Sequence, residues 1–269
     1  MRRFLFLGTL LLAFLMLIPY AIGHQIAFSD VIFTSGWLLF TIVVFLSSYS
    51  VRKKLTYPPL LKSSTWLQMH IYLGTASMLI FLFHTGGEIP TGTFSVTLYI
   101  LFSLMMASGL FGLYLTRTVP ATLSSRGNEV IFERIPLFRR QIKDRVERIV
   151  LLSIEESDSP ILAGFYESYL VHFLSGPKNI LRHLARSERT SHRLRHDLQA
   201  ADRYLGDRDK ELASELLGLI KLKDDLDFHY ARQGLLKLWL FLHIPMTLIL
   251  LIFLVAHIVL VYAFAGGAS

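Results

Sequence analysis

Two apolar segments of this chain, residues 66–85 and 235–264, each carry two histidines that are fourteen positions apart. The two pairs are His70 with His84 and His243 with His257. Each segment is about as long as the ~20 residues that a helix needs to cross a bilayer. At 1.5 Å and 100° per residue, fourteen positions correspond to a rise of ~21 Å and a phase difference of ~40°. Each helix is therefore expected to present two imidazoles on roughly one face, one toward each side of the membrane.

Ionisable side chains inside a membrane are costly, so each of these histidines needs an explanation. If the two helices pack in parallel, each histidine of one helix faces a histidine of the other, which gives two facing histidine pairs stacked across the bilayer. This is the geometry that holds two haems, each ligated on both sides, and a neutral imidazole bound to iron avoids the cost of a buried charge. The competing interpretation is a set of hydrogen-bonded buried histidines or a proton relay. Gly74, one turn after His70, leaves room for a porphyrin edge, although ordinary helix packing explains a glycine there equally well.

The composition supports a membrane protein with a non-covalent cofactor. Hydrophobic residues make up 53% of the 269 residues, and the mean hydropathy is +0.49. The chain has no cysteine, which excludes disulfides, thiolate metal sites, iron–sulfur clusters and covalently attached c-type haem. A redox centre in this chain must therefore be held by other ligands, of which histidine is the obvious one.

The apolar pattern predicts an all-α membrane protein with five transmembrane helices. The first begins after Met-Arg-Arg and ends near an Ala-Ile-Gly sequence that resembles a signal-peptide cleavage site, but we expect an uncleaved helix. The predicted spans cover residues 4–18, 31–49, 66–85, 94–115 and 235–264.

Lysine and arginine favour cytoplasmic loops. The loop at residues 51–64 has four of them, whereas the loops at 23–30 and 85–93 have none. We therefore expect a bacterial inner membrane protein with a cytoplasmic N-terminus and a periplasmic C-terminus. The third and fifth spans then run parallel, with His70 and His243 toward the cytoplasm and with His84 and His257 toward the periplasm.

A polar insert at residues 117–234 separates the fourth and fifth spans. It contains 20 of the 27 Lys/Arg and 18 of the 20 Asp/Glu residues, so the net charge of +7 reflects membrane topology rather than nucleic-acid binding. Apolar spacing at 146–152, 161–174 and 212–222 predicts amphipathic helices. We expect domains at 1–116, 117–234 and 235–269, with the insert a helical cytoplasmic domain for docking or structure. Its histidines are expected to be exposed.

Three residues outside the histidine pairs are further candidates. Glu88 follows His84 by four residues, and we hypothesise that it accepts a proton from quinol bound near the outer haem; a solvated loop acid is the alternative. Arg52 and Arg117 lie at cytoplasmic ends of spans, where they either pair with haem propionates or serve as positive-inside anchors.

The spans resemble the di-haem cytochrome b families through the His70/His84 and His243/His257 pattern. Quinol–cytochrome c reductases carry two histidines about fourteen residues apart on each of two helices of a four-helix bundle. The membrane domains of ferric reductases and NADPH oxidases do so on their third and fifth spans. The resemblance implies axial ligation of two b haems by these four histidines. It does not extend to the insert, to a flavin- or nicotinamide-binding domain, or to the Pro-Glu-Trp-Tyr quinol-site motif.

The sequence therefore predicts a di-haem cytochrome b subunit of a respiratory complex that moves electrons between the quinone pool and a periplasmic partner. The expected partner is a multihaem or other c-type cytochrome, or an oxidoreductase subunit. One alternative is a ferric-reductase-like electron conduit fed by a cytoplasmic flavoprotein that docks on the insert. A second alternative is a non-redox transporter or assembly protein.

Overall fold

The computed structural model describes residues 28–54, 62–124, 130–157, 160–185 and 189–265. All regular secondary structure in these ranges is helical, which confirms the all-α prediction for this part of the chain. The predicted first span, at residues 4–18, lies outside the described residues.

Nine α-helices are labelled here in chain order. They are α1 (Phe28–Lys54), α2 (Ser63–His84), α3 (Thr93–Ser124), α4 (Ile135–Ser157), α5 (Ile161–Phe165), α6 (Val171–Leu174), α7 (Ile180–Leu184), α8 (Arg189–Ala201) and α9 (Asp207–Ala265). Two 3₁₀ turns, Phe132–Arg134 and Asp202–Tyr204, and a π-helical turn, Tyr166–Leu170, complete the described structure.

Four of these helices, α1, α2, α3 and α9, are long and apolar enough to cross a membrane. The chain is therefore a multi-pass membrane protein. The turn between α2 and α3 reverses the chain through Gly86 and Gly87, both of which have positive φ values of 64° and 75°. Glycine is favoured there because it has no Cβ to clash in this left-handed region. The turn lies in the loop predicted at residues 85–93.

The four spanning helices share one apolar core. Its buried residues come from each of them: Leu39, Ile42 and Val43 on α1, Ile80 and Phe81 on α2, Phe102 and Met105 on α3, and Leu250 and Leu254 on α9. The rings of Phe81 and Phe102 stack with their centroids 4.2 Å apart. This core holds the histidine-bearing helices α2 and α9 next to each other.

The described chain divides into two compact units. The first comprises the described residues up to Tyr114 and those from Trp239 onward, and the second runs from Leu115 to Leu238. The second unit has its own apolar core, which includes Val146, Leu162 and Leu216. Buried residues on α4, α5, α6 and α9 follow the amphipathic spacing expected from the sequence.

The structure differs from the sequence prediction at two places. Helix α3 continues to Ser124 through Pro120, although the fourth span was predicted to end at residue 115. His183 and His229 of the second unit are buried, with 2% and 1% of their surface exposed, so their predicted exposure is wrong. His183 is buried because it packs beside the Phe228 ring, with its Nε2 3.7 Å from Asp224 Oδ1.

Candidate functional site

His84 at the end of α2 faces His257 on α9. Their ring centroids are 6.4 Å apart, and the ring planes are nearly perpendicular at 87°. A metal–imidazole bond is about 2 Å long and the ring centre lies about 1 Å farther, so two imidazoles on opposite sides of one metal have centroids about 6 Å apart. The separation of His84 and His257 therefore suits two axial ligands of one metal.

The Nδ1 atom of His84 is occupied by contacts with α1. It lies 3.0 Å from the carbonyl oxygen of Ile32 and 3.3 Å from Ser35 Oγ. The Ser35 hydroxyl itself donates to the Ile32 oxygen at 2.9 Å, so both groups accept from the His84 Nδ1–H. A proton held on Nδ1 leaves the lone pair of Nε2 for a metal.

Gly36 makes room for the His84 ring. A Cβ atom at this position would lie 2.8 Å from His84 Cε1, which is closer than carbon atoms normally approach. A larger residue would push the imidazole away from α1 and from its Nδ1 partners. Gly36 is thus part of the site, although nothing in the local sequence marks it.

A cavity of about 500 Å³ lies beside the two rings. This volume is within the ~300–1,000 Å³ range of small-molecule and cofactor sites. The walls are apolar and rich in aromatic side chains. They include Phe33, Trp37, Phe40, Phe81, Phe102, Leu254 and Tyr262 in addition to His84 and His257. A flat apolar cofactor with a metal at its centre fits the residue types present.

Aromatic side chains restrain the facing histidine, His257. Its ring stacks on Phe94 of α3, with the centroids 6.4 Å apart and the planes at 11°. Phe94 also stacks on Phe253 of α9 at 5.6 Å. These contacts restrain the orientation of His257 opposite His84.

The second pair, His70 and His243, lies at the other end of the same two helices. His70 contacts the Tyr49 ring of α1 at 5.4 Å, and His243 contacts the ring of Trp239 at 5.1 Å.

Ser77 of α2 and Thr247 of α9 both reach neighbouring methionines of α3, Met106 and Met105. His84 and His257 face each other farther along the same two helices, so the two spans run parallel, as the sequence predicted.

Ser108 of α3 holds His243. Its Oγ lies 3.0 Å from His243 Nδ1. Trp239 donates its indole N–H to the Ser108 carbonyl oxygen at 2.9 Å and to Ser108 Oγ at 3.3 Å. The Trp239 ring covers Gly112, where an added Cβ would overlap it. The small residues of α3 therefore accommodate a tryptophan that borders the second histidine pair.

The remaining predicted site residues have mixed placements. No heavy atom outside its own helix backbone and chain neighbours comes within 4 Å of a Cβ built on Gly74, so the space beside it is open. Glu88 is exposed in the turn after α2 and does not line the cavity. Arg117 is exposed and belongs to the second unit, and the side chain of Arg52 lies outside the described part. Their proposed roles stay predictions.

Lys237, another basic residue at a span end, has a partner in its own unit. Its Nζ bonds the Glu133 carboxylate and lies 4.2 Å from the centre of the Phe132 ring. The hydrogen bond from Lys237 lowers the pKa of Glu133. Among the described residues, no three or more His, Asp or Glu side chains cluster so that they could hold a metal ion. The exposed His192 and His196 of α8 therefore belong to no such cluster.

Comparisons with protein-family profiles, curated proteins and solved structures found no match to this chain.

Proposed function

We propose that this protein is a di-haem cytochrome b membrane subunit that carries electrons across the bacterial inner membrane. The observation that carries the proposal is the facing of His84 and His257 at 6.4 Å beside an apolar cavity of about 500 Å³. The second pair, His70 and His243, supports a second haem at the other end of the same helices.

Each of the two haems would be held by one pair of facing histidines. His84 and His257 would bind one, toward the periplasm, and His70 and His243 the other, toward the cytoplasm. Haem iron with both axial positions filled by imidazole passes single electrons and has no open coordination site. On this proposal, Ser35 and the Ile32 carbonyl keep the proton of His84 on Nδ1, and Phe94 restrains His257.

The proposed route joins the quinone pool to a periplasmic acceptor or donor. On this proposal, charge moves between the two histidine pairs as electrons, through the apolar core that the four spans share. A c-type cytochrome or oxidoreductase subunit is the proposed periplasmic partner. Purification of the intact complex tests this part: recovery of an active quinol-linked complex without any other redox subunit would contradict it.

The experiment that tests the function is a dithionite-reduced-minus-oxidised visible spectrum of the purified protein, with haem quantified per chain. The expected result is two b-type haems per chain. A colourless protein would overturn the proposal and favour a transporter or assembly protein.

The second unit supports an alternative redox function, in which a cytoplasmic flavoprotein supplies the electrons. Residues Leu115–Leu238 have their own apolar core, as expected of a docking module for a cytoplasmic flavoprotein. In that case NAD(P)H and a cytosolic flavoprotein would reduce the haems and quinol would not. Parallel reduction assays with the two donors separate these functions.

A further inference from the structure

Both histidine pairs include one ligand whose Nδ1 faces a serine from a neighbouring helix. Ser108 Oγ lies 3.0 Å from His243 Nδ1, and Ser35 Oγ lies 3.3 Å from His84 Nδ1. The two serines differ in one respect. His84 Nδ1 also reaches the Ile32 carbonyl oxygen at 3.0 Å, whereas within the described residues Ser108 Oγ is the one hydrogen-bond partner of His243 Nδ1.

The hydrogen-bonding capacity of Ser108 matches this arrangement. A serine hydroxyl oxygen has two lone pairs that accept hydrogen bonds. The indole N–H of Trp239 is directed at one, at 3.3 Å, and the Nδ1–H of His243 is placed to use the other. Ligation of a metal through Nε2 requires the proton of His243 on Nδ1, and the remaining lone pair of Ser108 Oγ is placed to accept that N–H.

We propose that Ser108 is the positioning residue of the His70/His243 pair and that it fixes His243 with Nε2 directed to the metal. This inference rests on the proposed haem function. A histidine that ligates a metal through one nitrogen usually donates its other N–H to an acceptor, which orients the ring and raises its basicity. At His243 that acceptor is a single side chain, whereas at His84 a backbone carbonyl remains when the serine is changed.

Replacement of Ser108 by alanine isolates this contact. Trp239 retains its shorter hydrogen bond to the Ser108 carbonyl oxygen, at 2.9 Å, because the backbone is unchanged. The indole therefore keeps its shorter hydrogen bond, and the variant removes the acceptor of His243 together with the longer contact between Trp239 and Oγ, at 3.3 Å. Ser35→Ala is the matched control, since it removes the same atom type from the other ligand but leaves the Ile32 carbonyl.

The test measures haem per chain, haem affinity and the redox potential of each haem in purified full-length protein. Two further variants, His70→Ala and His84→Ala, assign the two spectral components. For Ser108→Ala we expect about 10- to 100-fold weaker binding of the His70/His243 haem. The potential of any haem retained there should shift upward, because a less basic ligand stabilises ferric iron less. Ser108→Thr, which keeps the hydroxyl, should restore binding and potential, and Ser35→Ala should change the other haem much less.

The haem at His84/His257 reports folding in the same molecules, since its ligands do not involve Ser108. Unchanged affinity and potential in Ser108→Ala would overturn the inference while leaving the di-haem function intact. Equal shifts of both haems in Ser108→Ala, or a failure of Ser108→Thr to restore binding, would also overturn it, because either indicates a packing effect rather than a lost acceptor. Absence of haem from the wild-type protein would instead overturn the proposed function itself.

Discussion

His84 and His257 lie opposite each other on parallel helices, with ring centroids 6.4 Å apart and ring planes at 87°. Contacts with neighbouring residues restrain the orientation of both rings. His84 is held by the Ile32 carbonyl through Nδ1, and His257 is stacked on Phe94. If a metal binds between them as proposed, two imidazoles already restrained at this spacing lose less entropy on binding.

Single replacement of either facing histidine should remove one haem and leave the other. In His257→Ala, haem per chain should fall from two to one, because the haem iron held by His84 would lose one of its two protein ligands. The measurement is a pyridine haemochrome assay on purified protein. His196→Ala is the control, since His196 is exposed on α8 and should leave two haems. Loss of both haems in His257→Ala, in protein that remains folded, would contradict two separate sites.

Replacement of Gly36 by alanine should disturb His84 without unfolding the helix. The new Cβ would lie 2.8 Å from His84 Cε1, so the ring must shift away from Ile32 and Ser35. Alanine is otherwise favoured over glycine in a helix by about 1 kcal/mol, so a lost haem would not reflect poor helix formation. We expect weaker binding of the His84/His257 haem and an altered electron paramagnetic resonance signal of its ferric form.

The control for Gly36→Ala is Gly109→Ala. Outside its own helix backbone and chain neighbours, a Cβ on Gly109 meets no atom within 4 Å, so this variant should keep both haems with unchanged spectra. If the two glycine variants behave alike, the close approach of Gly36 to His84 has no role in the site.

The placement of two histidines on one face of each spanning helix was predictable because it depends on helical geometry alone. A fourteen-residue spacing places two side chains on one face whatever the rest of the sequence is. Their partners were not predictable, because Ser35 meets His84 across 49 positions and Ser108 meets His243 across 135. Such contacts depend on which helices pack and in which register. A serine or glycine within an apolar span is too common to indicate them.

The buried charges of the second unit are marked by their spacing in the sequence. Lys223 and Asp227 follow Leu216 and Ile220 at spacings of three and four residues, so they continue the buried stripe of α9. The near-equal numbers of basic and acidic residues in the insert do not reveal this buried pair, because most of its charged residues are solvated. Charged residues at apolar positions of a helical repeat indicate a buried ion pair when an opposite charge lies one turn away.

Removal of Glu88 should slow quinol-linked haem reduction if this carboxylate receives the proton of quinol. In Glu88→Gln the side chain keeps its size and cannot take up a proton, so the initial rate should fall while dithionite still reduces both haems. Stopped-flow reduction by a quinol analogue measures this rate. Glu167→Gln, an exposed acid of the second unit, is the control. An undiminished rate in Glu88→Gln would leave Glu88 as a solvated residue of the turn.

Asp227 and Lys223 form a fully buried ion pair, so removal of either partner should destabilise the second unit. Lys223 Nζ also donates to the Gly176 carbonyl oxygen at 2.9 Å, and Asp227 accepts from the Lys178 backbone N–H at 3.0 Å. Asp227→Ala leaves Lys223 buried without its carboxylate, which typically costs about 3–5 kcal/mol. Thermal scans of protease cleavage within this unit measure the effect in the full-length protein. Lys210→Met, at an exposed pair with Asp207, should change stability by less than about 1 kcal/mol.

The same pair gives a dependence on pH. Burial lowers the pKa of Lys223 below its usual 10.5, against the opposing effect of Asp227. Between the lowered pKa and 10.5 the unfolded chain binds more protons than the folded chain, so the contribution of Lys223 to stability rises with pH in that window. Wild-type protein should therefore gain stability relative to Lys223→Met as the pH is raised toward 10.5. The measurement is the difference in cleavage midpoint between the two proteins at several pH values. A difference that is constant with pH would show that burial does not perturb the Lys223 ammonium.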